Sequence, residues 1–367
     1  MTENIRLAFL TSGGGESVHG RKWLTYFVGK GYDVHLITFT GKPLKGLNVH
    51  KLRYFSKLAY PFRILEVKKA VKEINPDILH AFYVSYYAAY GALTDFKPFV
   101  VTALGSDVLI EPKKSIIKKY VVRYVLKKAN LITCDAKHMR EAMRRLGAVP
   151  EKIRLINFGI DTRKFSPGKK SEKLRAELGI YDSPTVISLR NLNPLYDVES
   201  LIKSIPFVLK EIPESKFVIA GRGSEETKLK KLAKSLDVSD NTKFVGFIPN
   251  DKLPLYLTSM DVYVSTALSD AGVSASTAEA MACRLPVIIT DVADNKEWVK
   301  DGVNGFIVPI KDPKSLAERI IYLLKNEHVR MKFGKISRKI IEEKNDYYKE
   351  MGKMESIYEE LAERYKK

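Results

Sequence analysis

Short apolar runs alternate along the chain with longer segments whose apolar residues recur at helical spacing. In the first half the runs cover residues 6–10, 34–39, 78–82, 99–103, 131–134 and 154–158. In the second half they cover 185–189, 217–220, 243–247, 262–265, 287–290 and 306–308. Such runs, separated by helical patterns, predict buried strands of parallel sheets covered by helices, an α/β architecture. Between the halves, the stretch from Asp161 to Lys170 (DTRKFSPGKK) is turn-rich and charged, as expected of a domain junction. Two Rossmann-like, doubly wound domains follow from this, residues 1–167 and 168–343. A last segment, 344–367, carries Met351, Met354, Ile357, Tyr358 and Leu361 on one helical face and is expected to pack back on the first domain. In such sheets ligands collect at the carboxyl ends of the strands, which places the expected site in a cleft faced by both domains.

Length agrees with that division, since 367 residues exceed what one core usually holds. Cys134 and Cys283 lie far apart, each in an apolar context, and read as small buried hydrophobes rather than a disulfide or metal ligands. No apolar run approaches the length of a membrane span, and the opening Met1-Thr2-Glu3-Asn4 has no basic segment leading to an apolar one, so a cytoplasmic location is expected. The net charge of +19 asks for an anionic partner. Much of it is local. Lys113, Lys114, Lys118, Lys119, Arg123, Lys127 and Lys128 surround an apolar stripe of Ile116, Ile117, Tyr120, Val121, Tyr124 and Val125. That pattern is a basic amphipathic helix, suited to an anionic membrane surface or simply to a solvated face. Nucleic acid is not expected, because the aromatic residues do not interleave with the cations as a stacking platform requires.

Three loops between a strand and a helix are built from small residues. The first, Gly13-Gly14-Gly15, lacks the dinucleotide spacing and reads either as a place where substrate meets the backbone or as a tight turn. The second, Gly221-Arg222-Gly223, offers backbone N–H groups that could face a phosphate beside Arg222. The third is SDAGVSASTAEAMA, from Ser269 to Ala282. A helix N-terminus attracts anions, and side chains this small would let a diphosphate reach it. Within it Ser276 and Glu279 fit a capping box, while Glu279 is equally placed to accept hydrogen bonds from sugar hydroxyls. Arg190 ends an apolar run, where a guanidinium suits bidentate phosphate contact or a surface ion pair.

Arg190, Gly221-Arg222-Gly223, Phe244-Val245-Gly246-Phe247, Glu279-Ala280-Met281-Ala282-Cys283 and Asp301-Gly302-Val303-Asn304-Gly305 occur in an order that resembles the GT4 glycosyltransferases of the GT-B fold. In the first half Gly105-Ser106-Asp107 and Asn157-Phe158-Gly159-Ile160-Asp161 agree with it. The resemblance implies retaining transfer from a nucleotide-sugar donor to a glycan or lipid-linked acceptor, with neither resident cofactor nor metal. Arg190 would neutralise the donor diphosphate and Glu279 would hold the ribose. Gly246, Phe247 and Ile248 would frame the base, and Gly272 and Val273 would offer backbone donors. Asp107 is then the polar candidate for catalysis in the first domain, against a helix-capping role, and His19 and His80 join the triple glycine as acceptor-side candidates. His80, within a strand, could equally be a core histidine.

The sequence also departs from the family pattern. Ala271 stands where a glutamate is usual, with Asp270 adjacent as its substitute, and Tyr196 stands about where a lysine falls. Leu104 replaces a histidine and Arg284 a glycine. Ala271 and Tyr196 motivate a rival, a degenerate sugar-nucleotide-binding partner subunit, and the two-domain plan itself admits another, a nucleotide-sugar epimerase.

Overall fold

The computed structural model describes residues 5–12, 18–39, 46–53, 60–270 and 272–366. Two compact units form, Met1–Gly159 with Tyr348–Lys367, and Ile160–Tyr347. Each contains a wholly parallel sheet whose consecutive strands are joined largely by helices, in keeping with the GT-B plan.

The first unit has seven strands in the order β3-β2-β1-β4-β5-β6-β7. They are β1 Arg6–Leu10, β2 Asp33–Thr38, β3 Asn48–Lys51, β4 Ile78–Phe82, β5 Phe99–Thr102, β6 Leu131–Cys134 and β7 Ile153–Leu155. Central β4 is buried at every position, as a strand covered on both faces must be. The edge strand β3, Asn-Val-His-Lys, has no apolar run and is half-exposed, so the hydrophobic pattern does not reveal it. The helix Tyr347–Arg364 belongs to this unit. Met351, Met354, Tyr358 and Leu361 are buried on its inner face, and Glu355 accepts hydrogen bonds from Tyr26 (3.0 Å) and Tyr32 (3.1 Å).

The segment rich in lysine divides at Ser115. A short helix, Glu111–Lys114, ends there, and Ser115 caps the next, Ile116–Lys128, by accepting the Lys118 N–H. Its inner face is Val122, Val125 and Leu126, at spacings of three and one. Ile116, Ile117 and Tyr120 are 64%, 72% and 66% exposed. The single apolar stripe expected there is therefore two faces, one packed and one open. Among the described residues no helix is long and apolar enough to cross a membrane.

The second unit has six strands in the order β10-β9-β8-β11-β12-β13. They are β8 Thr185–Ser188, β9 Lys216–Ala220, β10 Thr242–Gly246, β11 Val262–Ser265, β12 Val287–Thr290 and β13 Gly305–Val308. Alternate residues of one strand feed different cores, because successive side chains point to opposite faces. Val186, Val262 and Val264 join one cluster, while Ile187 and Tyr263 join the other. The seam between units falls at 159/160 rather than at 167/168, because Ile160 and Phe165 are buried in the second unit's core. Arg338 fixes that segment, donating to the carbonyls of Thr162 (2.9 Å) and Ala282 (2.8 Å).

Candidate functional site

In the second unit the chain leaves β8 for β9 on one side and later fills β11 on the other. The switch point is the gap between β8 and β11, and ligands of open parallel sheets bind outside it. A pocket of about 280 Å³ lies there. Leu189 and Arg190, just past β8, line it with Ala220 and Gly221 after β9, Phe247 and Ile248 after β10, and Ala275, Ser276 and Glu279 of the helix Ala275–Ala282.

Arg190 is 7% exposed. Its Nη2 donates to Asp270 Oδ1 at 2.6 Å, and its guanidinium lies over the ring of Tyr196, 4.5 Å from the centroid. Its Nε, also buried, has no hydrogen-bond partner among the described residues, so one donor of the fork remains to be used. Burial works against the charge of Arg190, but Tyr263, Asp270 and Tyr196 hold its pKa above the ordinary value. Burial pushes the Asp270 carboxyl up, and Arg190 pulls it only part of the way back.

The helix Ala275–Ala282 is capped by Ser274, whose Oγ accepts the Thr277 N–H at 3.2 Å. The capping box read at Ser276 and Glu279 is thus displaced by two residues. Ser276 instead shares a hydrogen bond with Tyr263 (2.8 Å), and Glu279, one turn in and 7% exposed, lines the pocket.

In the Gly221-Arg222-Gly223 loop the glycines serve close packing, and Gly221 also lines the pocket. The Gly221 N–H donates to the Gly246 carbonyl (2.8 Å), and the Glu225 N–H to that of Leu192 (2.8 Å). A Cβ on Gly221 would stand 2.5 Å from the Arg190 carbonyl oxygen, and one on Gly223 2.2 Å from that of Leu192. These glycines let the loop lie against the backbone that carries Arg190. Neither Arg222 nor Gly246, Gly272 or Val273 lines the pocket among the described residues. Ala271 lies outside those residues. Tyr196 is the lining residue whose role the sequence concealed.

In the first unit two candidates are buried and held by hydrogen bonds within the fold. Asp107 is fully buried and accepts the backbone N–H groups of Val84 (2.7 Å) and Leu104 (3.1 Å), tying together the loops after β4 and β5. Burial pushes its carboxyl up to about 6 against those hydrogen bonds. In this arrangement the carboxyl is a tie between loops and is not exposed. His80 is buried with both ring nitrogens engaged, Nε2 with Thr102 at 2.7 Å and Nδ1 with the Tyr358 hydroxyl. Burial pushes its pKa down to about 3, so it stays neutral in the core. Gly13, Gly14, Gly15 and the His19 side chain lie outside the described residues. Among the described residues no group of three or more His, Cys, Asp or Glu side chains is arranged to hold a metal ion.

Comparison with known proteins adds to this geometry. The family described as glycosyl transferases group 1 matches residues 170–340, and the glycosyl transferase 4-like family matches residues 6–136. The chain is 24% identical to an N-acetyl-alpha-D-glucosaminyl L-malate synthase of Bacillus anthracis, over 98% of this chain and 97% of that protein. It is 31% identical to a GDP-mannose-dependent monoacylated alpha-(1-6)-phosphatidylinositol monomannoside mannosyltransferase of Corynebacterium glutamicum, over 50% of each. Among solved structures, HepE of Anabaena in complex with UDP superposes with a TM-score of 0.84 at 20% identity, covering 97% of this chain and 100% of that one.

Proposed function

This chain belongs to the GT4 glycosyltransferases of the GT-B fold, and on that premise we propose that it moves a hexose-type sugar from a nucleotide-sugar to a lipid-linked or glycan acceptor, with retention of configuration and without a bound metal. The observation that carries the donor reading is the convergence of Arg190 and Glu279 in one pocket at the β8–β11 switch point. Arg190 takes the diphosphate, exchanging Asp270 for it and using its unpartnered Nε. Glu279 accepts hydrogen bonds from the ribose, and the backbone at Phe247 and Ile248 frames the base. As the bond from the anomeric carbon to the diphosphate breaks, negative charge grows on the leaving oxygen. A guanidinium already in place stabilises that charge more in the transition state than in the ground state. The acceptor hydroxyl oxygen bonds to the anomeric carbon, and its proton departs with the diphosphate. Asp270, freed from Arg190, is left beside the reacting centre as its carboxylate.

Ile116, Ile117 and Tyr120, exposed among Lys113, Lys114, Lys119 and Arg123, support a lipid-linked acceptor met at an anionic membrane surface. The phosphatidylinositol mannoside substrate of the similar Corynebacterium enzyme points the same way. UDP, found on HepE, and GDP, named for that mannosyltransferase, are the first bases to try.

The test is thermal stability against UDP, GDP, ADP and CMP and their sugar conjugates. A ligand at a hundredfold excess over Kd stabilises by about 2.7 kcal/mol. One nucleotide should raise the midpoint clearly, and Arg190→Ala and Glu279→Ala should each abolish the rise. A folded protein that answers to none of them overturns the reading.

A further inference from the structure

The first unit has its own switch point, between β1 and β4, where the chain order reverses. A cavity of about 520 Å³ opens there, lined by Thr11 and Ser12 after β1, and by Tyr83 and Ser85 after β4, with Glu111 and Lys118 opposite. Glu111 is the hub of the polar wall. Its Oε1 accepts from the Tyr83 hydroxyl (3.0 Å) and pairs with Lys118 Nζ (3.0 Å), and its Oε2 accepts from Ser85. Ile117, 72% exposed, continues the cavity wall onto the open face of the Ile116–Lys128 helix.

The direction of these hydrogen bonds sets what the Glu111 wall of the cavity offers a ligand. Tyr83 and Ser85 spend their protons on Glu111, which leaves lone pairs rather than donors for a ligand. Glu111 is charged at neutral pH. Burial pushes its carboxyl up, but Ser85, Lys118 and Tyr83 outweigh that and hold it below its ordinary value. Lys118, the cation of the described lining, already spends one donor on Glu111. A carboxylate that already gathers the Tyr83 and Ser85 hydroxyls suits a ligand that brings further hydroxyl donors, and its charge disfavours one that brings more negative charge to the same wall. The apolar wall at Ile117 accommodates an uncharged tail.

We infer that this cavity binds a neutral, hydroxyl-rich ring, a sugar or polyol head group on an apolar tail, and that Glu111 is the carboxylate that recognises it. The inference rests on the glycosyltransferase reading only in making this ligand the acceptor, and its test is separate from that of the donor pocket. A panel of n-octyl glycosides (gluco, galacto, manno and N-acetylglucosaminyl) is titrated below its micellar concentration, with n-octyl phosphate as the anionic comparator. Saturation-transfer NMR reads which ligand protons touch the protein. At least one neutral glycoside should bind through its ring protons and outcompete octyl phosphate. Glu111→Gln should weaken it roughly tenfold and Ser85→Ala less, both in folded protein with unchanged nucleotide response. Octyl phosphate binding as well as the glycosides, no glycoside binding to the wild type, or Glu111→Gln leaving affinity within twofold would each overturn the assignment. If nucleotides stabilise the protein while glycosides fail to bind, the donor reading stands and this one falls.

Discussion

The guanidinium of Arg190 rests on the ring of Tyr196, 4.5 Å from its centroid, at the position where the family pattern leads one to expect a second cation. An aromatic face therefore steers the one arginine instead of a lysine sharing its load. Tyr196→Phe should preserve nucleotide binding. Tyr196→Ala should weaken it about threefold to thirtyfold, the range of a partly desolvated cation–π contact. Nucleotide titrations of the two variants check this; equal losses would mean the hydroxyl, not the ring, matters.

The Arg190–Asp270 pair is buried on both sides, with side-chain exposures of 7% and 10%. Asp270→Asn leaves a buried charge unpaired and should cost the ligand-free protein about 3 kcal/mol. It should also tighten nucleotide binding, because the diphosphate no longer competes with the carboxylate, while turnover falls. Denaturation and titration of the same variant read both effects, and weaker nucleotide binding would contradict the exchange of partners.

Glycine substitutions separate packing from flexibility. Gly221 combines a φ of +112° with the Arg190 carbonyl 2.5 Å from where a Cβ would stand. Gly221→Ala should cost about 2 kcal/mol and weaken nucleotide binding by displacing the Arg190 backbone. Gly352, inside the helix Tyr347–Arg364 with open space at its Cβ, should gain about 0.5–1 kcal/mol on replacement by Ala. Thermal midpoints moving in opposite directions would bear this out.

His80 sets an acid limit. A histidine whose pKa falls from 6.5 to about 3 on folding binds fewer protons folded than unfolded. The stability it permits is therefore complete above about pH 6.5, declines as the pH drops and levels off below about pH 3. The loss at pH 5 is on the order of 2 kcal/mol. Asp107, with its raised carboxyl, titrates in the same range with the opposite sign. The comparison is therefore of His80→Gln with the wild type, whose difference isolates the ring. Urea midpoints from pH 7 to 4 should fall less steeply in the variant; parallel curves would rule the effect out.

The open face at Ile116 and Ile117 gives a further expectation. The double Ser variant should keep its thermal midpoint within a fraction of a kcal/mol, since both residues are exposed. Its partition onto phosphatidylglycerol vesicles should drop about tenfold. Salt should weaken wild-type binding, and phosphatidylcholine vesicles should bind poorly. Equal flotation of the variant and the wild type with phosphatidylglycerol would remove the membrane from the proposal.

Where burial and periodicity agree, the sequence announces the architecture, as at residues 131–134 and 262–265, whose apolar runs are strands β6 and β11. The edge strand β3 escaped because half-exposed residues carry no apolar signature. Arg190, after a strand, and Glu279, in a stretch of small residues, stand out in the sequence, and both line the pocket. The Arg190–Asp270 pair joins residues 80 apart in the chain, and no local pattern reports such a contact. Asp107 and His80 illustrate the converse problem. A polar residue in or just past a strand looks the same in the sequence whether it faces a ligand or partners within the fold, and only burial separates the two.

The helix Tyr347–Arg364 is made after all of the second unit, yet Tyr358 lies among Phe9, Phe27 and His80. During synthesis the later unit can close while the earlier one still waits for its last wall. A nascent chain stalled before Tyr347 exposes the aromatic surface of the first sheet to chaperones and proteases. For this protein the order of translation and the order of domain completion run in opposite directions, and a release assay on ribosome-bound chains would see the first unit gain protease resistance last.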